Sequence, residues 1–291
     1  MREDLLCRAE QLHELTLPEL TALLADADPA AEAALAAAAD RVRAAFVGAG
    51  VHLRGLIEFS NICRQSCMYC GLRRDNAAVH RYRLTPAEIL ALAEKARDYG
   101  YRTVVLQSGE DAWFTADRLA ALLRRIKALG LVITLSIGER SREEYQMLRA
   151  AGADRFLLRI ETTDAQLYAR LHPGMSFAHR LQCLQELRSL GYEVGTGCLV
   201  GLPGQSIESI ARDILVFQEL DADMVGIGPL IPNGDTPLAD AAPGDFHLTR
   251  RVVALLRLLL PEANIPATTA METLQPDARR IILQSGANVV M

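Results

Sequence analysis

The sequence predicts an α/β protein, a (β/α)8 barrel of the TIM type that follows a helical extension. From residue 52 onward, eight short apolar runs rich in strand-forming residues alternate with seven stretches whose apolar residues recur every three to four positions. Half of the 291 residues are hydrophobic, which is enough for one large core. An open doubly wound sheet is the competing fold, but such a sheet usually has fewer strands.

The predicted elements divide the chain into an extension of two or three helices at residues 1–50 and a barrel at residues 51–291, effectively one domain. Strands are predicted at 52–60, 103–108, 132–137, 155–161, 193–200, 223–231, 265–271 and 287–291. Helices are predicted at 85–99, 115–129, 142–151, 176–190, 206–220, 248–260 and 277–285. This is the count of a barrel that lacks its last helix, and the sequence leaves open what covers the last strand.

Composition excludes some classes of protein. The formal charge of −5 comes from 31 basic and 36 acidic residues, and no polarised block stands out along the chain, so we expect neither a nucleic-acid nor a membrane partner. No apolar stretch approaches the roughly 18 residues of a membrane span. The charged, amphipathic N-terminus is unlike a cleavable signal, so the sequence predicts a cytoplasmic protein.

Three cysteines within eight residues are the main chemical feature. Cys63, Cys67 and Cys70 form a C-x3-C-x2-C loop after the first predicted strand, on the barrel face where active sites are built. Three thiolates on a [4Fe–4S] cluster leave one iron open, because such a cluster normally takes four protein ligands. A structural zinc site, which needs four closed ligands, and three ordinary buried thiols are the alternatives. The isolated residues Cys7, Cys183 and Cys198 read as core positions.

Alternation along the third and fourth predicted strands predicts which side chains face the barrel interior. Thr134 and Ser136 share one face of the third strand. Leu157, Arg159 and Glu161 share one face of the fourth. Because an unpaired charge inside a barrel is costly, Arg159 and Glu161 either pair with each other or bind a ligand.

The cysteine loop, with Tyr69 before its last cysteine, resembles the C-x3-C-x-aromatic-C signature of the radical S-adenosylmethionine superfamily. The resemblance implies a [4Fe–4S] cluster and S-adenosylmethionine, which is reductively cleaved to methionine and a 5′-deoxyadenosyl radical. It also implies that the turn after the second strand meets the methionine amino group, that Glu161 meets the ribose and that Arg180 meets a carboxylate. The implied cofactor contacts are Tyr69, Gln107, Ser108, Gly109, Glu110, Ser136, Glu161, Arg180, Leu199 and Met224. For Met224, an ordinary core position is the alternative.

Further strings, among them residues 57–76, 80–85, 201–206, 226–239 and 264–274, resemble the HydE family of [FeFe]-hydrogenase maturases. That resemblance implies a small cysteine-derived substrate, or a cysteine-bound iron carbonyl–cyanide, inside the barrel. It further implies an electron donor such as a ferredoxin or flavodoxin, and other hydrogenase maturases as partners. The implied substrate contacts are Thr134, Arg159, Thr268, Thr269 and Met291.

Some features leave the assignment open. Thr268 and Thr269 are also good strand formers, and two adjacent strand residues cannot both face inward. The family continues beyond this point with a segment that covers the barrel top and holds an auxiliary cluster, for which this chain has no cysteine. A methylornithine synthase-like mutase and a non-catalytic iron–sulfur scaffold are the alternative functions. Biotin synthase is disfavoured because no cysteine lies on the predicted strands 103–108, 132–137 and 155–161.

Overall fold

The computed structural model describes residues 2–291, with side chains described from residue 4 onward. The strands are β1 (His52–Leu53), β2 (Gly55–Ser60), β3 (Thr103–Ser108), β4 (Val132–Ser136), β5 (Arg155–Leu157), β6 (Glu193–Thr196), β7 (Leu199–Val200), β8 (Met224–Val225), β9 (Gly228–Pro229) and β10 (Val289–Val290). The helices are α1 (Arg2–Leu12), α2 (Leu17–Ala25), α3 (Pro29–Phe46), α4 (Pro86–Asp98), α5 (Ala116–Lys127), α6 (Arg142–Ala150), α7 (Ala165–Leu171), α8 (Phe177–Ser189), α9 (Ile207–Glu219), α10 (Phe246–Leu259), α11 (Thr269–Leu274) and α12 (Ala278–Leu283).

The strands pair in parallel, as a TIM-type barrel requires. The main sheet has the order β2-β3-β4-β5-β6-β8, while β7 pairs with β9 and β1 pairs with β10. Single bridges from Met224 to Asn264 and from Pro266 to Val289 connect β8 to β10. The predicted α/β barrel is therefore confirmed, although its last quarter is held by short bridges rather than by one continuous ladder.

The helices that follow the strands begin where the sequence places capping residues. The Thr85 hydroxyl accepts from the Glu88 N–H, while the Glu88 carboxylate accepts from the Thr85 N–H, and Pro86 is the first helical residue. Ser141 and Ser206 begin α6 and α9 with the same kind of bond to the third helical N–H. These caps fix the helix starts, and the loops before them carry the candidate site.

Parts of the predicted pattern are wrong. The predicted strand at 265–271 is reduced to single bridges at Asn264 and Pro266. Helix α11 begins at Thr269, because Thr268 adopts an extended backbone and serves as the helix N-cap. The predicted strand at 155–161 ends at Leu157, and Glu161 has a left-handed backbone with φ of 65°. Helix α7, for which the sequence predicts no element, lies directly after this turn.

The N-terminal helices pack on the outer layer of the barrel, where α2 contacts α9 and α3 contacts α10. The carboxylate of Glu32, on α3, is 7% exposed and lies 2.9–3.0 Å from His247 and two arginines, Arg250 and Arg251, of α10. Breaking such a buried cluster is costly, because removing the carboxylate leaves its partners unpaired. Within residues 2–291, no helix combines the length and apolarity needed to cross a membrane.

Candidate active site at the mouth of the barrel

The cysteine loop leaves β2 at the carboxyl end of the sheet, and its three thiols are partly buried. The loop has no regular secondary structure, so its backbone needs other partners. Arg81 supplies them, since its guanidinium donates at 2.6–3.2 Å to the carbonyls of Asn61, Leu72, Arg73 and Asn76. The loop is thus closed onto itself by one arginine.

Gly109, the residue directly after β3, is in contact with the cysteine loop. A Cβ at this position would lie 2.7 Å from the Cβ of Cys63 and closer still to the Ile62 carbonyl, so only glycine permits the contact. The Gly109 N–H also donates to the Ser60 carbonyl at 3.1 Å. The cysteine loop and the β3 turn are therefore packed backbone against backbone.

The sulfur environment fits a cluster bound through thiolates. The Sγ of Cys63 accepts from the backbone N–H of Gln65 and of Glu110, each at 3.4 Å, and hydrogen bonds to sulfur are one way in which proteins tune iron–sulfur clusters. Burial, reinforced by the neighbouring thiols Cys70 and Cys63, raises the pKa of Cys67 to about 12. Burial likewise raises the pKa of Cys70. Without a bound cation these thiols stay protonated, and bound iron is the group that stabilises their thiolates.

Single metal ions and clusters make different demands on their ligands. In the described residues, no group of three or more histidine, cysteine or acidic side chains converges on one point as the ligands of a single ion do. A four-iron cluster is larger, and each cysteine binds a different iron.

A network of charges crosses the mouth from β3 to α8. Glu110 accepts from the Arg64 Nε at 2.9 Å, the Gln65 Nε2 at 2.6 Å and the Glu139 N–H at 2.9 Å. Glu139 in turn accepts from the Arg180 Nε at 2.6 Å. Both oxygens of Glu110 are thus already used to hold the cysteine loop and the β4 turn, so its carboxylate supports the loop.

Arg180 lies where the resemblance implied, near the start of α8, and is 8% exposed. Its Nε bonds to Glu139, and its Nη1 donates at 2.6 Å to the carbonyl of Arg159. Interactions with Tyr168 and Glu139 outweigh burial and raise the pKa of Arg180, so it stays charged. The remaining nitrogen, Nη2, is the group that the structure leaves for a further anion.

Glu161 is a buried carboxylate whose hydrogen bonding is incomplete. Its Oε2 lies 3.0 Å from the Arg159 Nη2, but the contact lacks hydrogen-bond geometry, and this oxygen has no hydrogen-bond donor among the side chains that the structure describes. Burial raises the pKa of Glu161, opposed by the charges of Arg159 and Arg180. A buried acceptor without a donor is costly in a protein alone and is satisfied by a ligand hydroxyl, which fits the ribose contact implied for this residue.

Tyr69 is held by a histidine that the sequence reading did not single out. The Tyr69 hydroxyl lies 2.9 Å from the His172 Nε2, and the His172 Nδ1 lies 3.0 Å from the Tyr168 carbonyl. Since a carbonyl only accepts, Nδ1 carries the hydrogen and Nε2 accepts from Tyr69. Burial lowers the pKa of His172 to about 4, so the ring is neutral at pH 7. The Met68 N–H also donates to the Leu171 carbonyl at 2.9 Å, which ties the loop to α7.

The other residues implied as cofactor contacts spread over the mouth and the interior. The Gln107 Nε2 donates to Glu58 at 3.2 Å on the neighbouring strand, and the Ser108 hydroxyl donates to the Gly109 carbonyl at 2.7 Å. Ser136 is paired in register with Gln107. Leu199 belongs to an apolar cluster against the cysteine loop, with Met68, Tyr69, Leu167, Leu171, Leu202 and Leu238.

Met224 and Thr134 lie deeper, around a small cavity that Arg54 and Leu157 also line. The Arg54 Nη1 lies 3.1 Å from the Met224 sulfur, and burial lowers the pKa of Arg54 to about 10. Thr134 is 1% exposed, and its hydroxyl has no partner among the described residues. Met224 therefore packs against the interior arginine.

The residues implied as substrate contacts do not form one strand face. The Arg159 Nη2 donates to the Cys198 carbonyl at 2.7 Å, while its Nε has no partner among the described residues. The Thr268 hydroxyl donates to the Ile227 carbonyl at 3.1 Å, whereas Thr269 is exposed and lies 3.3 Å from Arg279. Met291 follows β10 and is partly buried.

The sequence reading missed four supporting residues: Arg81, Glu139, His172 and Asp213. Asp213, on α9, is fully buried and accepts at 2.6 Å from both the N–H and the hydroxyl of Thr163, two residues after Glu161. For Glu139, a charge in the turn that follows β4 was an available signal. The partners of His172 and Asp213 lie 103 and 50 residues away along the chain, and the farthest carbonyl that Arg81 binds lies 20 residues away.

A parallel α/β barrel with a three-cysteine loop after its first long strand is the architecture of the radical S-adenosylmethionine enzymes. The sequence profile of the Radical SAM superfamily matches residues 57–215. The chain belongs to this superfamily and is an enzyme that uses a [4Fe–4S] cluster and S-adenosylmethionine.

Within the superfamily, the chain is similar to two named relatives and to one solved structure. It is 51% identical to the [FeFe] hydrogenase maturase subunit HydE of Thermotoga maritima over 278 residues, which cover 96% of this chain and 80% of that protein. It is 32% identical to 3-methylornithine synthase of Methanosarcina acetivorans, over 87% of this chain and 72% of that protein. The crystal structure of methylornithine synthase matches with a TM-score of 0.91 at 30% identity, over 98% of this chain and 85% of that chain.

Proposed function

We propose that this protein is a radical S-adenosylmethionine enzyme of [FeFe]-hydrogenase maturation, with a function like that of HydE. The observation that carries the proposal is the 51% identity to the Thermotoga maritima protein, against 32% to 3-methylornithine synthase. The small molecule it acts on is cysteine-derived or a cysteine-bound iron carbonyl–cyanide. Partners are other hydrogenase maturases and a protein electron donor.

The assigned roles follow from the contacts at the mouth. Cys63, Cys67 and Cys70 hold the cluster, which supplies the electron that cleaves S-adenosylmethionine. The free Oε2 of Glu161 accepts from a ribose hydroxyl, and the Nη2 of Arg180 faces the methionine carboxylate.

The turn from Gln107 to Glu110 meets the methionine end through its backbone, since the Glu110 side chain is already bonded. Tyr69 and Leu199 belong to the apolar wall beside the cysteine loop. Ser136 lines the barrel above Thr134. Together these residues exclude water from the reacting atoms.

The interior suits a small anionic or carboxylate-bearing molecule. Arg54 is buried and Arg159 is only partly exposed, and no carboxylate bonds to Arg54 in the described residues. The unpartnered Thr134 hydroxyl and Arg159 Nε are available to a ligand, and a buried donor without an acceptor gains most when a ligand supplies one. Thr268 and Met291 are the other proposed contacts of this molecule in the barrel interior. Thr269 is the least supported contact, because it is exposed.

The test is an anaerobic maturation assay. Apo-[FeFe]-hydrogenase is combined with the other maturases and with this reconstituted protein, and hydrogen evolution is measured. We expect activation that requires this protein and S-adenosylmethionine. Conversion of lysine to methylornithine would contradict the proposal in favour of a mutase, and activation that persists without S-adenosylmethionine cleavage would favour a scaffold.

A further inference from the structure

Tyr168, on α7, is a fully buried tyrosine beside the candidate site. Its hydroxyl is a buried polar atom that has no hydrogen-bond partner in the part of the chain that the structure describes. A buried donor that lacks an acceptor costs free energy, and native proteins rarely keep one without a reason. None of the contacts described for the other site residues uses this hydroxyl.

The ring of Tyr168 is held by two aromatic neighbours. It stacks on the His172 ring, with 4.1 Å between the centroids and 28° between the planes. It also lies edge-to-face with the Phe177 ring, with 5.5 Å between the centroids. Phe177 is the first residue of α8, and Arg180 lies three residues further along, on the same face of that helix. Tyr168 therefore packs against the face of α8 that carries Arg180.

The surrounding charges agree with this placement. Burial raises the pKa of Tyr168, and the positive charge of Arg180 is the strongest charge acting on this hydroxyl and opposes the rise. Glu139, Cys67 and Glu110 follow with weaker effects. The pKa stays above its usual value, so the hydroxyl keeps its proton at pH 7 and remains a donor.

Arg180 also keeps one nitrogen for a ligand. Its Nε donates to Glu139 and its Nη1 donates to the Arg159 carbonyl, which leaves Nη2. A carboxylate has two oxygens that accept from separate donors, and hydrogen bonds to an ionised group are stronger than those between neutral groups. One bound carboxylate would therefore satisfy both the arginine and the tyrosine.

We propose that the Tyr168 hydroxyl is a second donor, beside Arg180, to the methionine carboxylate of S-adenosylmethionine. This inference rests on the proposed function, in which the Nη2 of Arg180 faces that carboxylate. The tyrosine adds a directed hydrogen bond without adding a second buried charge, which would be costly to keep. Helix α7 thus belongs to the cofactor site, although the sequence predicts no element there.

The experiment measures binding rather than turnover. The reconstituted holoenzyme is kept oxidised, so that the cluster cannot cleave the cofactor. Dissociation constants are measured for S-adenosylmethionine and for 5′-methylthioadenosine, which has the same nucleoside but no carboxylate. The test variant is Tyr168→Phe, which keeps the ring that stacks on His172. The matched control is Tyr192→Phe, since Tyr192 is also buried but its hydroxyl donates to the Tyr145 carbonyl at 2.7 Å.

Tyr168→Phe is expected to bind S-adenosylmethionine ~10-fold more weakly than wild type and to bind 5′-methylthioadenosine within about twofold of wild type. Without ligand, its thermal unfolding midpoint should equal or exceed that of wild type, because the variant removes a buried hydroxyl that has no partner. Tyr192→Phe should show the reverse, a lower midpoint with unchanged affinity for both ligands, because it leaves the Tyr145 carbonyl unpaired. Both variants should keep the wild-type iron content.

Unchanged affinity of Tyr168→Phe for S-adenosylmethionine would overturn the inference, since a buried water or the cluster would then satisfy the hydroxyl. Equal weakening for both ligands would assign the hydroxyl to the nucleoside, and a lower iron content would assign it to the cluster; either result also contradicts the inference.

Arg180→Gln separates this inference from the proposed function. Wild-type affinity of Arg180→Gln for S-adenosylmethionine would contradict the role proposed for Arg180, while weaker binding by Tyr168→Phe would still support the hydroxyl as a donor. Weaker binding by Arg180→Gln together with unchanged binding by Tyr168→Phe would overturn the inference alone.

Discussion

In the cysteine loop and in the N-terminal extension, one charged residue binds several partners, but the partners are backbone carbonyls in the loop and side chains in the extension. Arg81 binds four backbone carbonyls of an irregular loop. Glu32 binds one histidine and two arginine side chains, and it joins two regular helices that are also in contact with each other. The loop has no regular secondary structure, and Arg81 bonds to four of its carbonyls, so losing this arginine should affect the site, whereas losing Glu32 should affect stability alone.

The largest expected effect is at Arg81. Arg81→Met removes four hydrogen bonds, each worth roughly 1 kcal/mol, so we expect the closed loop to be weakened by about 4 kcal/mol. Iron content and the 400 nm absorbance after reconstitution should fall several-fold, while far-ultraviolet circular dichroism stays unchanged. Arg97→Met on α4, where Arg97 pairs with the exposed Asp98, is the matched control. Full cluster content in Arg81→Met would show that the thiols alone define the loop.

The turn after Glu161, which Asp213 holds through Thr163, offers a second test. Burial raises the pKa of Asp213 to about 7 from an ordinary value of 3.8. A raised carboxyl pKa means that the stability Asp213 contributes is fully present below about pH 4 and is lost as pH rises through about 7. Asp213→Asn keeps an oxygen that accepts from Thr163 and does not titrate.

The free energy of unfolding, from urea titrations at pH 5, 6 and 7, should therefore decline with pH more steeply in wild type than in Asp213→Asn. The expected difference is on the order of 1 kcal/mol for each pH unit, or about 2–3 kcal/mol across the range. Parallel curves for the two proteins would mean that Asp213 titrates normally and does not hold the turn after Glu161 as a buried acid.

The smallest effect is expected in the extension. Glu32→Gln keeps an acceptor oxygen but removes the negative charge that faces Arg250 and Arg251, so it should lower the free energy of unfolding by about 2 kcal/mol. Glu10→Gln, at the exposed pair with Arg41, should cost less than about 1 kcal/mol. Both variants should keep the wild-type cluster content. A loss of cluster in Glu32→Gln would contradict the view that Glu32 affects stability alone while Arg81 affects the site.

Prediction from the sequence succeeded where the signal is local. The Cys63–Cys70 spacing, the caps at Thr85 and Ser141, and the alternation of β4 are all readable within a few residues. Helix α7 was missed because its seven residues are too few for a clear period. Thr268 and Thr269 were predicted in a strand because threonine favours strands, whereas tertiary context makes Thr268 a helix cap.

The supporting residues of the site were beyond local reasoning. Arg81 donates to carbonyls of a loop that folds back on it. Glu139 accepts from Arg180, which lies 41 residues along the chain. His172 meets Tyr69 across 103 residues. Such partners become neighbours only in the folded barrel, so sequence pattern predicts the ligands of the cluster but not what holds them.

The most direct test of the account is the yield of 5′-deoxyadenosine from the reconstituted, dithionite-reduced protein with S-adenosylmethionine. Wild type and Cys183→Ala, which changes a buried cysteine of α8, are expected to give the product, and Cys67→Ala is expected to give none and to lose the [4Fe–4S] signal. Product from Cys67→Ala at the wild-type rate, or a colourless wild type with stoichiometric zinc, would contradict the account.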